Sequence, residues 1–518
     1  MLDKLTKLAI AAFPSRSPRG RFVRRLLPEA LTSGVVAAYQ HYIAAVEPLQ
    51  WSAPVAVTAS SARPLLSVIV PMFNTPDAYV RPLFDSLSNQ TYPNFEAIVA
   101  DASTQADRSA AIARAAASDP RLRYVRLDNN SGIAANTNAA LAHATAPYIT
   151  FVDHDDVLSL HALNEVTARL ADDPAIDILY SDEDVLSDNG WRRQTPFFKP
   201  IWSPHMFLEC NYTNHLSVIR RSLIDAVGGL RPDLDGAQDY DLLLRIHSLP
   251  DAPRVAHIPA VLYHWREAAT STALKMDTKD YAIEAGRRAL AEHLQRLGVA
   301  CDGIDDVYLQ PGWYRVKPRW KASVAVVCAR AAAGRLDALK TATKAAECRP
   351  TWHRQPAGLD VTALGDFDAV VLVEQPYLPD DPTWLDDLVG ALALPGATVV
   401  APLLVGPSGR VDTAGFALDG LGLTNVMNRA LASSGDLNGT ARTLRDVDAV
   451  SRAFVAVKRA DIDLLTGRGA DPLVAVPADR GYAVVWAHQM VTRRQDLRHD
   501  GFVNANVGFG AMGWMRQR

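Results

Sequence analysis

Residues 148–156 read YITFVDHDD, an apolar run followed directly by three carboxylates and a histidine. The apolar run predicts a buried strand, so the carboxylates lie at its end. Carboxylate oxygens suit a hard cation, and Mg²⁺ or Mn²⁺ held this way usually completes its shell with water and phosphate oxygens. We therefore predict that Asp153 and Asp155 belong to a metal and diphosphate site, or, as the alternative, to a solvated acidic loop. Asp156 is expected to cap a helix that begins near Val157.

Three similar runs precede this one and alternate with helix-like segments such as Ile133 to Ala146. The apolar runs are Leu66 to Val70, Glu96 to Ala100, Arg123 to Leu127 and Tyr148 to Val152. This alternation predicts βα units, and hence an α/β fold with a parallel sheet covered by helices on both faces. Ligands collect at the carboxyl ends of such strands. Polar residues follow the runs at these ends, namely Asn74, Asp101, Asp128 to Asn130 and the acidic cluster.

Length and composition limit the classes of protein that need considering. A chain of 518 residues is too long for one ordinary core, which favours two domains and an extension. The net charge of -4 argues against nucleic acid as the main partner. No apolar run approaches the roughly 18 to 20 residues that span a bilayer, which argues against a processive synthase with its own channel. The four dispersed cysteines fit reduced core thiols of a cytoplasmic protein.

Three regions are predicted. Residues 1–62 form an N-terminal helical extension and linker, residues 63–310 the first domain, and residues 311–518 a second domain that opens with a strand at Ala322 to Cys328. The linker is expected from Pro48 to Pro64, which is rich in Pro, Ala and Ser. The first 25 residues are basic and amphipathic, with seven Lys or Arg against one acid. They fit either peripheral contact with an anionic membrane surface or a helix packed on the next domain.

An ordered series of motifs runs from about Ser67 to Leu297. These motifs are SVIVPMFN, QTYPNFEAIVADAST, NNSGIAANTNAAL, YITFVDHDDVLSLHAL, YSDEDVL, FKPIWSP, GAQDYDLLLR and VLYHWRE. The series resembles the family-two glycosyltransferases, especially the bacterial rhamnosyltransferase-like enzymes of O-antigen (lipopolysaccharide) and capsule assembly. The resemblance implies a GT-A fold, which is a Rossmann-like domain that binds a nucleotide sugar, and a requirement for Mg²⁺ or Mn²⁺.

The resemblance also implies a donor site. Its expected members are Pro71 and Asn74 near the nucleotide, Asp101 on the pyrimidine N-H, Gly132 and Asn138 before the fourth strand, Asp153 on the ribose, Asp155 and His264 on the metal, and Arg266 on the diphosphate. Uracil and thymine both present that N-H, so a UDP-sugar and a dTDP-sugar both fit Asp101. A structural histidine is the alternative for His264.

The segment Gly236 to Arg245 reads as a helix start with its acids in the first turn. Those acids can simply complement the helix dipole. In the resembling family, however, the first acid is the general base that inverting glycosyl transfer requires, which implies this role for Asp239, with Gln238 orienting it. Asp241 is the next candidate. The resemblance also places Trp202, His215 and Gln238 at the acceptor, although a core tryptophan is the common alternative for Trp202.

The C-terminal half resembles a glycosyltransferase domain more weakly. LLVGPSGRVDTAGFALDG, Arg452 to Arg459 and RGYAVVWAH carry this likeness. The position expected to supply metal-binding acids reads Val373-Glu374-Gln375-Pro376, with one carboxylate where chelation needs a cluster. We therefore expect a degenerate GT-A-like α/β domain kept for packing, acceptor binding or assembly.

Three functional hypotheses follow. The first is a metal-dependent inverting glycosyltransferase that adds a sugar, with rhamnose from dTDP-rhamnose implied by the resemblance alone, to a lipid-linked precursor at the cytoplasmic face of the inner membrane. The second is a non-catalytic carbohydrate-binding or assembly subunit. The third, a sugar nucleotidyltransferase, needs a Gly-rich basic loop after the first strand. The sequence there, PMFNTPDAY, is not such a loop.

Overall fold

The computed structural model describes residues 39–52, 63–267, 279–307, 312–408, 411–419, 422–425, 444–466 and 472–493. The basic first 25 residues lie outside this part of the chain, so the two interpretations of that segment stay predictions. The predicted linker is partly wrong, because Glu47–Ser52 is helical and continues a helical segment that the structure describes from residue 39. Of the described helices, none combines the length and the apolar character that a membrane span requires.

Within the described residues, the first half of the chain contains nine strands and nine α-helices, besides a π-helical turn at Tyr42–Val46 and a 3₁₀ turn at Pro232–Leu234. The strands are β1 (Leu66–Met72), β2 (Phe95–Asp101), β3 (Leu122–Arg126), β4 (Tyr148–Phe151), β5 (Val157–Leu158), β6 (Ile178–Leu186), β7 (Arg193–Phe197), β8 (Ser217–Arg220) and β9 (Val255–Arg266). The helices are α1 (Glu47–Ser52), α2 (Asp77–Ser88), α3 (Ala106–Ala116), α4 (Ile133–Leu141), α5 (Ala162–Asp172), α6 (Pro204–Phe207), α7 (Arg221–Ala226), α8 (Gln238–Ile246) and α9 (Lys279–Arg296).

These nine strands form one sheet in the order β3-β2-β1-β4-β8-β6-β9-β5, with β7 paired to β6. The four predicted strands are confirmed, and they run parallel as predicted. The rest of the sheet is mixed, because β8 is antiparallel to both β4 and β6. The sequence did not show this, since Ser217, Val218 and Ile219 of β8 are all buried and give the same continuous pattern as a buried parallel strand.

The prediction that a helix begins near Val157 is wrong. Val157 and Leu158 instead form β5, which pairs with Tyr263 and His264 of β9, and the helix begins at Ala162. The two residues of β5 are too short a segment to show any periodicity in the sequence.

The second half builds a second nine-stranded sheet. Its strands are β12 (Ser323–Ala329), β13 (Arg349–Gln355), β14 (Ala369–Val373), β15 (Tyr377–Pro379), β16 (Ala397–Val405), β17 (Val411–Thr413), β20 (Arg445–Val447), β22 (Phe454–Lys458) and β24 (Tyr482–Arg493). The hairpin β10 (Cys301–Asp306) and β11 (Tyr314–Pro318) precedes it, and β18 (Phe416–Asp419), β19 (Gly422–Asn425), β21 (Ala449–Ser451) and β23 (Leu473–Ala475) form a smaller sheet. Its helices are α10 (Leu336–Thr341), α11 (Trp384–Ala391) and α12 (Asp463–Thr466).

The second sheet repeats the topology of the first. Its order is β13-β12-β14-β22-β16-β24-β15, with β17 paired to β16 and β20 paired to β24. The strand directions also match, since β12 is parallel to β13 and β14, β22 is antiparallel to β14 and β16, and β24 is parallel to β16. Strands β12, β13, β14, β22, β16, β24 and β15 thus correspond to β1, β2, β4, β8, β6, β9 and β5. The expected second α/β domain of GT-A type is therefore present.

The two halves contact each other through a polar cluster at α6. Asp446, in β20, accepts hydrogen bonds from the Ser203 hydroxyl at 2.7 Å and the His205 backbone N-H at 3.2 Å, and it lies 2.5 Å from His205 Nδ1. Glu209 accepts the Leu444 backbone N-H at 2.7 Å. Because these groups are largely buried, the second half fixes the segment of the first half that follows Trp202.

Candidate functional site

The loops after β1 and β2 are held together by Asn74. Asn74 has a φ of 47°, a left-handed conformation that asparagine tolerates. Its side-chain oxygen accepts the N-H groups of Thr104 and Gln105 at 3.0 and 3.2 Å, and its backbone N-H donates to Ser103. Asn74 therefore shapes the loops at this edge of the sheet, while Pro71 lies inside β1.

Asp101 ends β2 and is fully buried. Its carboxylate accepts hydrogen bonds from the Ser103 backbone N-H at 2.9 Å, the Tyr124 hydroxyl at 2.9 Å and the Ser109 hydroxyl. Burial acts to raise the pKa of Asp101, but these donors outweigh it and hold the pKa below the ordinary value. The contact of Asp101 with a pyrimidine base stays a prediction.

The segment after β4 divides its three acids between different surroundings. The helix-cap role of Asp156 is wrong, because its side chain is completely buried and accepts the Tyr263 hydroxyl at 2.5 Å and the Arg266 backbone N-H at 2.7 Å. Burial, and then the charges of Asp153 and Asp155, raise the pKa of Asp156 well above its ordinary value. Asp156 therefore ties the acidic segment to β9, and Asp153, whose side chain is 44% exposed, faces outward.

Strand β6 places three consecutive acids against three histidines. Asp182 lies 2.8 Å from His257 Nε2, Glu183 lies 3.0 Å from His215 Nδ1, and Asp184 lies 2.6 Å from His264 Nδ1. Successive residues of a regular strand point to opposite faces. The register between β6 and β9 shifts on both sides of Asp182, and such bulges redirect side chains, which allows this arrangement.

His215 joins this acidic strand to the segment after β4. Its Nδ1 faces Glu183, its Nε2 lies 3.6 Å from Asp153, and its ring stacks on Tyr263 with centroids 4.8 Å apart. Burial acts to lower the pKa of His215, but the two carboxylates raise it well above the ordinary value. His215 therefore bridges Glu183 and Asp153, whose charges favour its protonated form. We predicted His215 at the acceptor, and the structure places it between these carboxylates.

Asp239 lies in the first turn of α8, close enough to Asp153 and His215 to be affected by their charges. Gln238 donates to Asp239 at 3.1 Å while its own oxygen accepts the Gly236 N-H at 2.7 Å, so Gln238 orients the carboxylate. Burial first, and then the negative charge of Asp153, raise the pKa of Asp239 to about 7. A carboxylate with this pKa can accept a proton near neutral pH.

The prediction of Asp241 as the alternative general base is wrong. Its side chain is completely buried and accepts hydrogen bonds from Arg231 at 2.5 and 3.1 Å and from Arg245 at 2.9 Å. A carboxylate held by two guanidinium groups is a structural ion pair that is poorly placed to take a substrate proton. Asp239 therefore remains the one acid of this helix turn that faces the site.

Gly132 and Asn138 support the loop that leads to Asp239. Gly132 has a φ of 95°, and a Cβ there would lie 2.2 Å from the Asp235 carboxylate, so glycine is required. Asp235 in turn accepts the Ala134 N-H at 3.0 Å. The Asn138 side chain bonds both the carbonyl and the N-H of Leu230, at 2.7 and 2.9 Å. These contacts give both residues a structural role, and their predicted contact with the donor stays a prediction.

Trp202 and Arg266 are each held by protein groups. Trp202 stacks on His247 with centroids 4.6 Å apart and packs beside Phe207, as the interpretation of Trp202 as a core residue expects.

Arg266 donates through its guanidinium to the carbonyls of Asp155 at 2.6 Å and Asp188 at 3.1 Å. Arg266 and His264 also line a cavity of about 350 Å³. Arg266 therefore braces the acidic segment from the side of this cavity.

The negative charge around Asp155 favours the binding of a cation. Burial and the neighbouring charge of Asp153 raise the pKa of Asp155, so negative charge is crowded there and a divalent cation would relieve it. Another acidic cluster in the described residues, Asp153, Asp156 and His215, brings its ligand atoms within 4.8 Å of one another. That cluster fits a cation less well, because Asp156 and His215 are occupied by the protein partners described above.

The sequence-based predictions include no role for Glu183, Tyr263 or the other acids of β6. A signal was available, because three adjacent acids in YSDEDVL lie within an otherwise buried strand. Buried charges need partners, and an unexplained acidic run of this kind points to them.

The sequence of residues 67–228 matches the family described as Glycosyl transferase family 2. Over 284 residues the chain is 36% identical to the O-antigen biosynthesis protein RfbC of Myxococcus xanthus, covering 54% of this chain and 22% of that protein. It is 30% identical over 479 residues to the uncharacterized protein y4gI of Sinorhizobium fredii, covering 82% of this chain and 52% of that protein. The chain thus spans about a fifth and about half of these relatives. It is also 30% identical over 249 residues to the uncharacterized protein MT1568 of Mycobacterium tuberculosis, covering 45% of this chain and 76% of that protein.

The raised pKa of Asp239 predicts a pH-dependent effect on stability. Between the ordinary carboxyl pKa of 3.8 and about 7, the unfolded chain loses this proton while the folded protein keeps it. The free energy of unfolding therefore falls as pH rises through this window. In Asp239→Asn this contribution is absent, so the stability of the variant relative to wild type should increase from pH 4 to pH 7 and then level off. Urea unfolding with EDTA present measures this difference, and a difference that is constant with pH contradicts the shifted pKa.

Proposed function

The chain belongs to glycosyl transferase family 2, and from this premise we propose that it transfers a sugar from a nucleotide sugar to a hydroxyl group with inversion, using Asp239 as the base. The observation that carries the proposal is the environment of Asp239. Its carboxylate is oriented by Gln238, its pKa is raised to about 7, and it lies within the field of Asp153. A general base works best when its pKa is near the working pH.

The proposed transfer step requires one protein group, a base that accepts the proton of the acceptor hydroxyl. The acceptor hydroxyl oxygen forms a bond to the anomeric carbon while the bond from that carbon to the diphosphate oxygen breaks. The hydroxyl proton moves to Asp239, and the electron pair of the broken bond leaves with the nucleoside diphosphate. Attack from the face opposite the leaving group inverts the anomeric carbon. No protein acid is required if the charge of the leaving group is neutralised at the diphosphate.

The donor end of the site is proposed at Asp153, Asp155, His264 and Arg266. Asp155 and His264 are the proposed ligands of Mg²⁺ or Mn²⁺, which when bound would neutralise the diphosphate. The crowding of negative charge at Asp155 supports this assignment. His264 supports it too, because its Nδ1 faces the Asp184 carboxylate, an arrangement typical of metal-binding histidines.

The donor is proposed to be a UDP-sugar or a dTDP-sugar, with rhamnose as the candidate sugar. The acceptor is proposed to be a lipid-linked glycan precursor of O-antigen or capsule. The likeness to an O-antigen biosynthesis protein supports this class of product, although the chain covers 22% of that relative. Contact of the basic N-terminus with the cytoplasmic face of the inner membrane is part of the same proposal, because it would concentrate the enzyme near a lipid-linked acceptor.

The second half is proposed to have lost metal and donor chemistry. Glu374 follows β14, the counterpart of β4, and its two oxygens accept hydrogen bonds from Arg330 at 3.0 Å and Arg452 at 3.1 Å. A carboxylate held by two guanidinium groups has its charge neutralised, which removes the reason to bind a cation. The contacts of Asp446 and Leu444 with α6 and Glu209 support a packing role for this half instead.

Asp239→Asn tests the proposed base. The substitution keeps the size of the side chain but removes its ability to accept a proton, so turnover should fall by at least roughly 10²-fold with donor binding nearly unchanged. The donor is first chosen as the nucleotide sugar that raises the melting temperature most in a panel. Release of nucleoside diphosphate is then measured with water as acceptor. The matched control is Asp233→Asn, the same change at an exposed position, which should keep wild-type turnover. Near-normal turnover in Asp239→Asn refutes the assignment, and no turnover by wild type with any donor favours a non-catalytic subunit.

Asp155→Ala tests the metal site. A carboxylate at a strand end contributes little packing, so the variant should fold normally while its Mn²⁺ affinity in the presence of UDP or dTDP falls by at least roughly 10-fold. Electron paramagnetic resonance of free Mn²⁺ measures the affinity, and Asp172→Ala on the exposed surface of α5 is the control. If Asp155→Ala binds Mn²⁺ like wild type while Asp156→Asn does not, the ion belongs to the other acidic cluster.

A further inference from the structure

The helical segment 39–52 packs against the first domain outside the region that matches the family. Tyr39 and Tyr42 stack with ring centroids 5.8 Å apart, and both contact the Phe198 ring edge-on, with centroids 6.1 and 5.3 Å away. Val261 of β9 is buried in the same cluster. This apolar contact packs the helix on the sheet, and buried polar groups lie beside it.

Those polar groups form a connected series of ion pairs. Glu47 accepts two hydrogen bonds from the Arg193 guanidinium, at 2.7 and 2.8 Å. Arg193 Nε donates to Asp184 Oδ2 at 2.6 Å, and the Tyr39 hydroxyl donates to the same oxygen at 2.5 Å. Asp184 is completely buried and Glu47 is 7% exposed. Bidentate geometry and burial make such pairs strong and direction-specific.

The series ends at the donor site. The second oxygen of Asp184, Oδ1, lies 2.6 Å from His264 Nδ1. With Nδ1 engaged by Asp184, the ring nitrogen left for a ligand is Nε2. His264 lines the cavity of about 350 Å³ together with Arg266, whose guanidinium contacts the Asp155 carbonyl. The direction of the imidazole therefore depends on the direction of Asp184, and two groups of the N-terminal segment fix that direction.

We propose that the helical segment 39–52 is a positioning element of the donor site, in which Tyr39 and Glu47 hold Asp184 so that His264 presents Nε2 to the metal. Tyr39 and Glu47 are positioning residues, since they act through Asp184. This inference rests on the proposed function, because it requires a metal at His264. It makes the segment that follows the basic N-terminus, which lies outside the family match at residues 67–228, part of the site.

Energetics distinguish positioning from simple anchoring. Burying Asp184 costs solvation free energy that ion pairs at best roughly offset, so such a network is a poor means of attaching a helix that already has an aromatic contact. Its benefit is a fixed geometry. Partners that orient a metal-binding histidine from behind typically change metal affinity by 10- to 100-fold when removed, although they do not contact the ion.

Tyr39→Phe tests the proposal in the full-length protein. The substitution removes the hydroxyl donated to Asp184 and keeps the ring that packs on Phe198, so the melting temperature should change little. The affinity for Mn²⁺ in the presence of UDP or dTDP, measured by electron paramagnetic resonance, should fall roughly 10-fold. Glu47→Gln should lower it in the same direction, because Arg193 loses a charged partner while Tyr39 stays in place. The matched control is Tyr42→Phe, the same change on the neighbouring ring, which should leave Mn²⁺ affinity at the wild-type value.

The possible outcomes separate this inference from the proposed function. If wild type binds Mn²⁺, His264→Ala weakens binding, and Tyr39→Phe and Glu47→Gln bind as wild type does, the positioning role is overturned while the metal site stands. If Tyr42→Phe weakens binding as much as Tyr39→Phe, the helix acts by packing alone and the inference is also overturned. If wild type binds no Mn²⁺ with either nucleotide, both the metal site and the inference fail.

Discussion

Three adjacent carboxylates inside one strand impose the main constraint on this site. Asp182, Glu183 and Asp184 are largely removed from water, so each needs a hydrogen-bonding partner. Each acid lies against one histidine, and the three histidines come from two different segments, the one before β8 and strand β9 itself. These contacts fix the positions of His215 and His264, and the charge of His215 acts on Asp153 and Asp239. The bulges in β6 are the local irregularity that makes this possible.

Much of the fold followed from local patterns. The runs at Leu66, Glu96, Arg123 and Tyr148 became β1 to β4 because buried parallel strands are apolar on both faces. The reversal at β8 did not follow, because an antiparallel strand buried on both faces has the same composition. Asp156 was misassigned for a related reason. A helix cap and a buried acid look alike in sequence, and only the distant Tyr263 and Arg266 distinguish them.

The sequence allows residues at strand ends to be proposed for the site, but it does not show partners that come from far along the chain. Asp153 and Asp155 stand out from their own position at a strand end, whereas the role of Asp239 is implied by the family resemblance. The contacts of His215 with Glu183 and Asp153 join three segments of the chain. The sequence of each segment alone does not indicate its contact with the other two. The same applies to Asp241, which became a structural ion pair only because Arg231 and Arg245 converge on it. The two sheets share one topology yet end in different loops, and chemistry is determined by those loops rather than by the sheet.

The most direct test of this account is the pH dependence of kcat for donor turnover with a saturating donor and cation. If Asp239 is the base and its pKa in the working enzyme is close to the value set by burial and Asp153, kcat should fall about tenfold per pH unit below pH 7, because the protonated carboxyl cannot accept the acceptor proton. Above pH 7, kcat should become independent of this group. A kcat that stays constant from pH 5 to pH 8 would contradict the central claim that Asp239, tuned by its neighbours, performs the proton transfer.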